Sequence, residues 1–225
     1  MADMAGDARN PHAGGIPRHH LKQIVPARLA SEAVEGRVLV TAALDHPIGP
    51  NTIDDWLAAD APADGGRLEL IWGYWVVTPP PTGQHQWATD TLCHSLRQAV
   101  RAAGRSDLFP VTGIGVEIST ALRTALIPDV AVLNRRPVGT NFPADALELV
   151  VEVWSPGNSR SERETKLAAY AGAGVPFLWE VADGKLRACR LEGGRYMEEP
   201  LAGSGLVRVT GAPVPVDIDL GELAP

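Results

Sequence analysis

The run LELVVEVWS, residues 147–155, constrains the fold more than any other stretch of the chain. It is apolar almost throughout, β-branched at its centre, and closed by Pro156-Gly157. A strand with one face in water alternates apolar and polar residues; a near-continuous apolar strand is covered on both faces. The chain is therefore read as an α/β (α+β) protein, a mixed β-sheet flanked by helices. Glu152 is the anomaly inside this run. A carboxylate at such a position is costly unless it is paired or holds a cation.

The neighbouring segments supply the remaining parts. Thr52 precedes IDDWLAAD with Asp55 three residues on, the spacing of a capping box, and Ile53, Trp56 and Leu57 form an apolar side. Leu68, Leu70 and Trp72 alternate with Glu69 and Ile71, Gly73 supplies a turn, and YWVVT resumes as a strand, a tight hairpin or meander stopped by Pro79-Pro80-Pro81. From His85 to about Ala103, Ala88, Leu92, Leu96 and Val100 recur at near-helical spacing, and Gly104 closes the helix. GIGVEIS (113–119) and ALIPDVAVL (125–133) read as strands. A second helix is expected after Asn158, capped either by Ser161 with Glu164 or by Ser159 with Glu162. Val175–Val181 is one more strand, followed by a hairpin over 185–197. The order is not a βαβα repeat.

Residues 1–30, broken by Gly14-Gly15 and three prolines, are expected to be a disordered leader in which His19-His20 is a solvated basic patch. Residues 31–215 are read as one domain and 216–225 as an extended, frayed tail. A net charge of −7 argues against tight nonspecific binding of nucleic acid through a broadly basic surface. Cys93 and Cys189 cannot build a disulfide framework and are expected as buried or half-buried thiols. No apolar run approaches the roughly 20 residues that span a bilayer. With no secretory signal pattern at the start, a cytoplasmic location and no membrane partner are expected.

Asp129 follows Pro128 at the head of VAVL, an acid where the pattern would continue apolar. With Glu152 it gives two carboxylates at the ends of core strands that can be neighbours in a sheet. Lys166 lies on the following helix at i+4 from Glu162 and i−4 from Tyr170, so the three share a face. Glu69 is a further acid in the hairpin. Carboxylates converging near a lysine make a hard-cation site, suited to Mg²⁺ and to phosphodiester hydrolysis. The bland alternative is a turn-capping Asp129 and a buried Glu152–Lys166 ion pair without chemistry.

RLELIWG…TPPPTGQH, IPDVAVL and LVVEVWSPGNSR…KLAAYAGAGVPFLWEV together resemble the Uma-two family of restriction-endonuclease-like proteins, within the PD-(D/E)xK nuclease superfamily. The resemblance covers roughly residues 52–196. It implies a restriction-endonuclease-like fold and a metal-dependent endonuclease acting on DNA, with Mg²⁺ or Mn²⁺ as cofactor. It also implies that Asp129, Glu152 and Glu69 hold the metal and that Lys166 completes the catalytic set. The usual lysine two residues after the second acid is replaced by Trp154, and Lys166 takes over from the next helix. Glu162 stands for the family's aspartate, Tyr74 for a glutamate, and Phe177-Leu178-Trp179 for a more acidic run. His85 matches a family histidine at a helix start, where capping or surface exposure is its ordinary role. The competing reading is an inactive nuclease-fold protein that binds nucleic acid or a protein partner. A homodimer is a further expectation, drawn from the two strands of a duplex and from the aromatic Trp72, Tyr74 and Trp75.

Overall fold

The computed structural model describes residues 48–201, 203 and 205–223. The expected leader, with His19-His20, lies outside the described residues. Helix α1 (Ile53–Ala58) opens on the capping box expected at Thr52, whose hydroxyl accepts from the Asp55 N–H while Asp55 accepts from the Thr52 N–H. It buries Ile53 and Trp56, but Leu57 points outward at 42% exposure, because a six-residue helix presents little more than one turn to the core. Strands β1 (Arg67–Ile71) and β2 (Tyr74–Thr78) pair antiparallel across Trp72-Gly73. Both turn residues have positive φ, 51° and 76°, which matches the twist of the flanking strands.

Gly73 also sits against another backbone. A Cβ there would come 2.4 Å from the Gly49 carbonyl oxygen, and the φ is already one that L side chains avoid. Gly73→Ala is therefore expected to cost more than about 1 kcal/mol, read as a lower urea midpoint with an unchanged slope.

Helix α2 (Gly83–Ala102) is capped by Thr82 and buries Ala88, Leu92, Leu96 and Val100 as the spacing predicts. Strand β3 (Phe109–Thr112) has no counterpart among the expected strands, since Pro110 argues against one; it lies at a sheet edge, where a missing N–H is harmless. Strand β4 (Gly115–Ser119) follows. The expected single strand over 125–133 is instead two, β5 (Thr124–Leu126) and β6 (Val130–Leu133), in different sheets. Pro128 has no N–H to give a ladder, and the chain crosses between sheets at Ile127-Pro128-Asp129.

A short β7 (Asn141–Pro143) precedes β8 (Leu147–Val153), the apolar run, of which only Glu148 is not buried. Helix α3 (Arg160–Gly172) uses Ser159 as its cap, the second of the two registers open to it. Strands β9 (Phe177–Ala182), β10 (Lys185–Glu192) and β11 (Arg195–Glu199) complete a six-stranded sheet in the order β11-β10-β9-β8-β6-β3. The other large sheet runs β2-β1-β5-β4-β7. The β8–α3–β9 crossover makes its two strands parallel, while β6 and β8 are antiparallel.

Packing explains why β8 is oily on both faces. Val151 and Val153 join the core formed with Leu92 and Leu96 of α2, and Val150 joins the one that holds Tyr170 of α3. Removing this surface from water, at about 25 cal/mol per Å², is the main favourable contribution to folding. Residues 216–223 are built into the fold and are not an extended tail. Strands β12 (Leu206–Val209) and β13 (Val216–Asp219) form a ribbon whose Val207, Val216 and Ile218 join the α2 core. The fully buried Trp179 donates its indole N–H to the Gly211 carbonyl at 2.7 Å, tying that ribbon to the sheet. Both cysteines are buried free thiols. Among the described residues no helix is long and apolar enough to cross a membrane.

Candidate active site

Four elements bring Glu69, Asp129, Glu152 and Lys166 to one open cleft of about 430 Å³. Its walls include Val76, Pro79, Pro81 and Asn158. All four charged side chains are nearly sealed within the protein, at 1%, 2%, 3% and 5% exposure.

Asp129 is held by its place in the crossing between sheets. Its N–H donates to the Val151 carbonyl at 3.1 Å, and Val153 N–H returns a 2.7 Å bond to Oδ2. Its Oδ1 accepts from Arg67 Nη1 at 2.5 Å and lies 2.8 Å from His85 Nε2. Burial alone would raise the carboxyl's pKa, but His85, Arg67 and the Val153 amide outweigh it and hold it below the usual range. Asp129 is therefore an anion.

Glu152 behaves in the opposite way. Burial is the largest influence, reinforced by the charges of Asp129 and Glu69 and only partly offset by Lys166 and the Tyr170 hydroxyl, and the pKa is pushed up to about 8. Tyr170 OH donates to Oε1 at 2.7 Å, and Lys166 Nζ is 3.6 Å from Oε2. An ion pair and a proton at one carboxyl are in tension. The proton prevails, because the 3.6 Å contact is long and the first partner of Lys166 is Glu69, at 2.9 Å. Burial opposes the lysine's charge, yet Glu152 and Glu69 outweigh it and keep the ammonium protonated.

Alternation along β8 puts residues 152 and 154 on one face. Trp154 thus occupies the place of the usual lysine, and its ring lies 5.9 Å from Lys166 Nζ, with the Arg163 guanidinium 5.4 Å away. The indole N–H is spent on Glu180, 3.0 Å off. Glu162 lines the same cleft and accepts from Asn158.

Two partners of Asp129 are not marked as such by the sequence. Arg67 stands two residues before Glu69 in β1, on the same side of the strand, a spacing that would have flagged it. His85 is in the first turn of α2, pinned by the Thr82 cap, and engages Asp129 instead of being exposed. For Tyr170 the sequence shows only a shared helix face.

Among the described residues, no group of three or more His, Cys, Asp or Glu is arranged to hold a metal ion. The pairings give the reason: Arg67 and His85 occupy Asp129, and Lys166 with the Ile127 N–H occupies Glu69 Oε1. Two oxygens are nonetheless available. Glu69 Oε2 is buried with no partner, and Glu152 Oε2 has only the long contact to Lys166. An oxygen-only pair of carboxylates fits Mg²⁺, which keeps several waters and takes one or two carboxylates together with substrate phosphates.

The mixed sheets, the β8–α3–β9 crossover and acids at strand ends define a restriction-endonuclease-like α/β protein, and a solved structure has the same fold. It is described as a "putative nuclease belonging to DUF820" from Anabaena variabilis. The two share 18% identity with a TM-score of 0.60, over 77% of this chain and 97% of that one. At this identity the likeness concerns the fold alone. Residues 54–218 match the family model described as "Uma2: Putative restriction endonuclease", and the chain belongs to that family. No curated protein matches it.

Proposed function

We propose that the chain is a metal-dependent endonuclease that hydrolyses phosphodiester bonds in DNA. One observation carries the reading: three acids and a lysine, drawn from β1, the head of β6, β8 and α3, meet in a single open cleft. Buried charges of this number are costly for stability and are concentrated where chemistry needs them. The family and the nuclease-like fold support the same reaction class.

Glu69 and Glu152 would hold a Mg²⁺ or Mn²⁺ ion, joined by Asp129 once it exchanges Arg67 or His85 for the cation; the ion when bound would polarise the phosphoryl oxygen and lower the pKa of water. Glu152 gives up its proton to take a cation, so cation binding strengthens as pH rises toward about 8. Lys166 presents a fixed ammonium to the nucleophile and to the charge that grows on phosphorus. Arg67 and His85 hold the Asp129 carboxylate in one orientation. Trp154 and Pro79–Pro81 line the cleft beside these groups.

Incubation of supercoiled plasmid with Mg²⁺ or Mn²⁺ tests the reading. The native chain should nick or linearise it, and Asp129→Ala and Glu152→Ala should lose at least about a hundredfold in rate, the scale of deleting one transition-state stabiliser. Cleavage that is absent from all three proteins, or equal in all three, rejects it. The closed pairing of Asp129 with Arg67 favours a second reading, a nuclease-fold binding protein without turnover. In that case calorimetry with Mn²⁺ shows no binding that depends on Asp129. Cleaving both strands of a duplex calls for two sites, but a homodimer in light scattering does not by itself distinguish the two readings.

A further inference from the structure

A second cleft, of about 540 Å³, lies at the far end of α2 from His85. Arg97, Arg101 and Arg105 line it over a floor that includes Val100, Leu108 and Phe109, and no carboxylate is among its lining residues. The sequence around it is unlike the rest of the chain. Residues 97–111 and 134–137 carry five arginines (97, 101, 105, 135 and 136) and one acid, Asp107, in a protein of net charge −7.

Arg97 and Arg101, at i and i+4 on α2, repel one another, and Arg105 follows just beyond the helix, so the local cost has to be met elsewhere. A helix C-terminus favours positive charge, which accounts for Arg101 in the last turn. It does not account for Arg97, a turn earlier, or for Arg136, which adjoins the cleft-lining Pro137. Arg105 pairs with Asp107 at 2.7 Å and Arg135 with Asp145 at 3.0 Å, both in exposed surroundings. Among the described residues Arg97 spends only its Nε, on the Pro110 carbonyl at 3.0 Å. Arg101 and Arg136 make no side-chain hydrogen bond or ion pair among the described residues. A forked guanidinium with unspent donors, beside others of its kind, is shaped for phosphate oxygens.

We infer that this cleft is a docking site for the sugar–phosphate backbone of DNA, separate from the acidic cleft. The choice of DNA as partner rests on the nuclease reading. His85 and Arg101 are sixteen positions apart on α2. At 1.5 Å per residue that is about 24 Å, and at about 3.4 Å per step along a strand it equals about seven base pairs. The charge distribution follows the same logic. The acidic cleft by itself repels a polyanion, and a basic site at a fixed distance supplies the attraction that the catalytic groups cannot.

The test is binding of fluorescein-labelled duplexes to the full chain by anisotropy, in Ca²⁺ to suppress turnover. For a 24-base-pair duplex, Arg101→Glu combined with Arg97→Gln should weaken binding at least tenfold at low salt. The slope of log affinity against log salt should become shallower by about one to two, roughly one for each phosphate no longer held. A six-base-pair duplex, too short to reach both clefts but long enough to lie on the basic one, should bind the native chain more weakly than the 24-mer and should also lose affinity in the variant. Circular dichroism and melting show that the variant is folded; the milder Arg101→Gln should give an intermediate loss. Binding of the 24-mer by the folded double variant within twofold of the native chain overturns the proposal. If the native chain never cleaves but the arginine-dependent binding persists, the nuclease reading fails and this one stands.

Discussion

Replacing Lys166 by methionine is expected to lower the unfolding free energy by about 3–5 kcal/mol, the usual cost of removing one partner from a buried ion pair. The ammonium is 2.9 Å from Glu69 and 3.6 Å from Glu152, and all three groups are nearly inaccessible to water. Methionine fills similar space, so the loss reports charge and not a cavity. Glu69 is then left without its ammonium beside the protonated Glu152, and its Oε2 already lacks a partner. Adding Glu69→Gln to Lys166→Met should recover a large part of the loss, because the uncompensated anion goes with it. Urea unfolding of the single and double variants measures both effects. A Lys166→Met protein within about 1 kcal/mol of native would show that the ammonium is not what balances this cluster. The same variant should be inactive on plasmid, whereas the double variant regains stability without regaining cleavage.

The second large effect is a dependence of stability on pH that belongs to Glu152. Its carboxyl is raised from the ordinary 4.5 to about 8 in the folded protein. Between those values the folded state keeps a proton that the unfolded chain has released, so stability is greatest at the acidic end and falls as pH rises through the window. At about 1.4 kcal/mol for each tenfold change in proton concentration, the total is on the order of a few kcal/mol. The other groups of the site act outside that window. Asp129 is depressed, so its contribution is present above its ordinary 3.8 and is lost only as pH falls through its lower folded value. Lys166 is raised, so its contribution is full below 10.5 and fades only at more alkaline pH. Glu152→Gln should therefore flatten the melting temperature between about pH 5 and 8, while the native protein becomes less stable across that span. Parallel pH profiles for the two proteins would remove Glu152 as the source.

Both predictions turn on a group whose neighbours come from distant parts of the chain, and that divides what could be read from the sequence. Local signals needed no tertiary context. The Thr52 capping box, the Trp72-Gly73 hairpin, the α2 periodicity and the apolar β8 run each depend on residues within a few positions of one another. Asp129 and Glu152 stood out because a carboxylate is conspicuous in an oily segment, Lys166 because it shares a helix face with Glu162 and Tyr170, and Glu69 as an acid in the hairpin; the family resemblance gave all four their roles.

Tertiary structure decided the rest. It split 125–133 between two sheets at Pro128, built the closing residues into the core as a ribbon, and found an edge position where Pro110 does no harm. It also chose the partners. Arg67 meets Asp129 across 62 positions, His85 across 44, and Lys166 meets Glu69 across 97. Periodicity fixes which face of an element is apolar, because that pattern repeats along a few turns or a few strand residues. It carries no information about which charged side chain will face which, since that depends on how separate elements pack and on the cost of leaving any one buried charge alone.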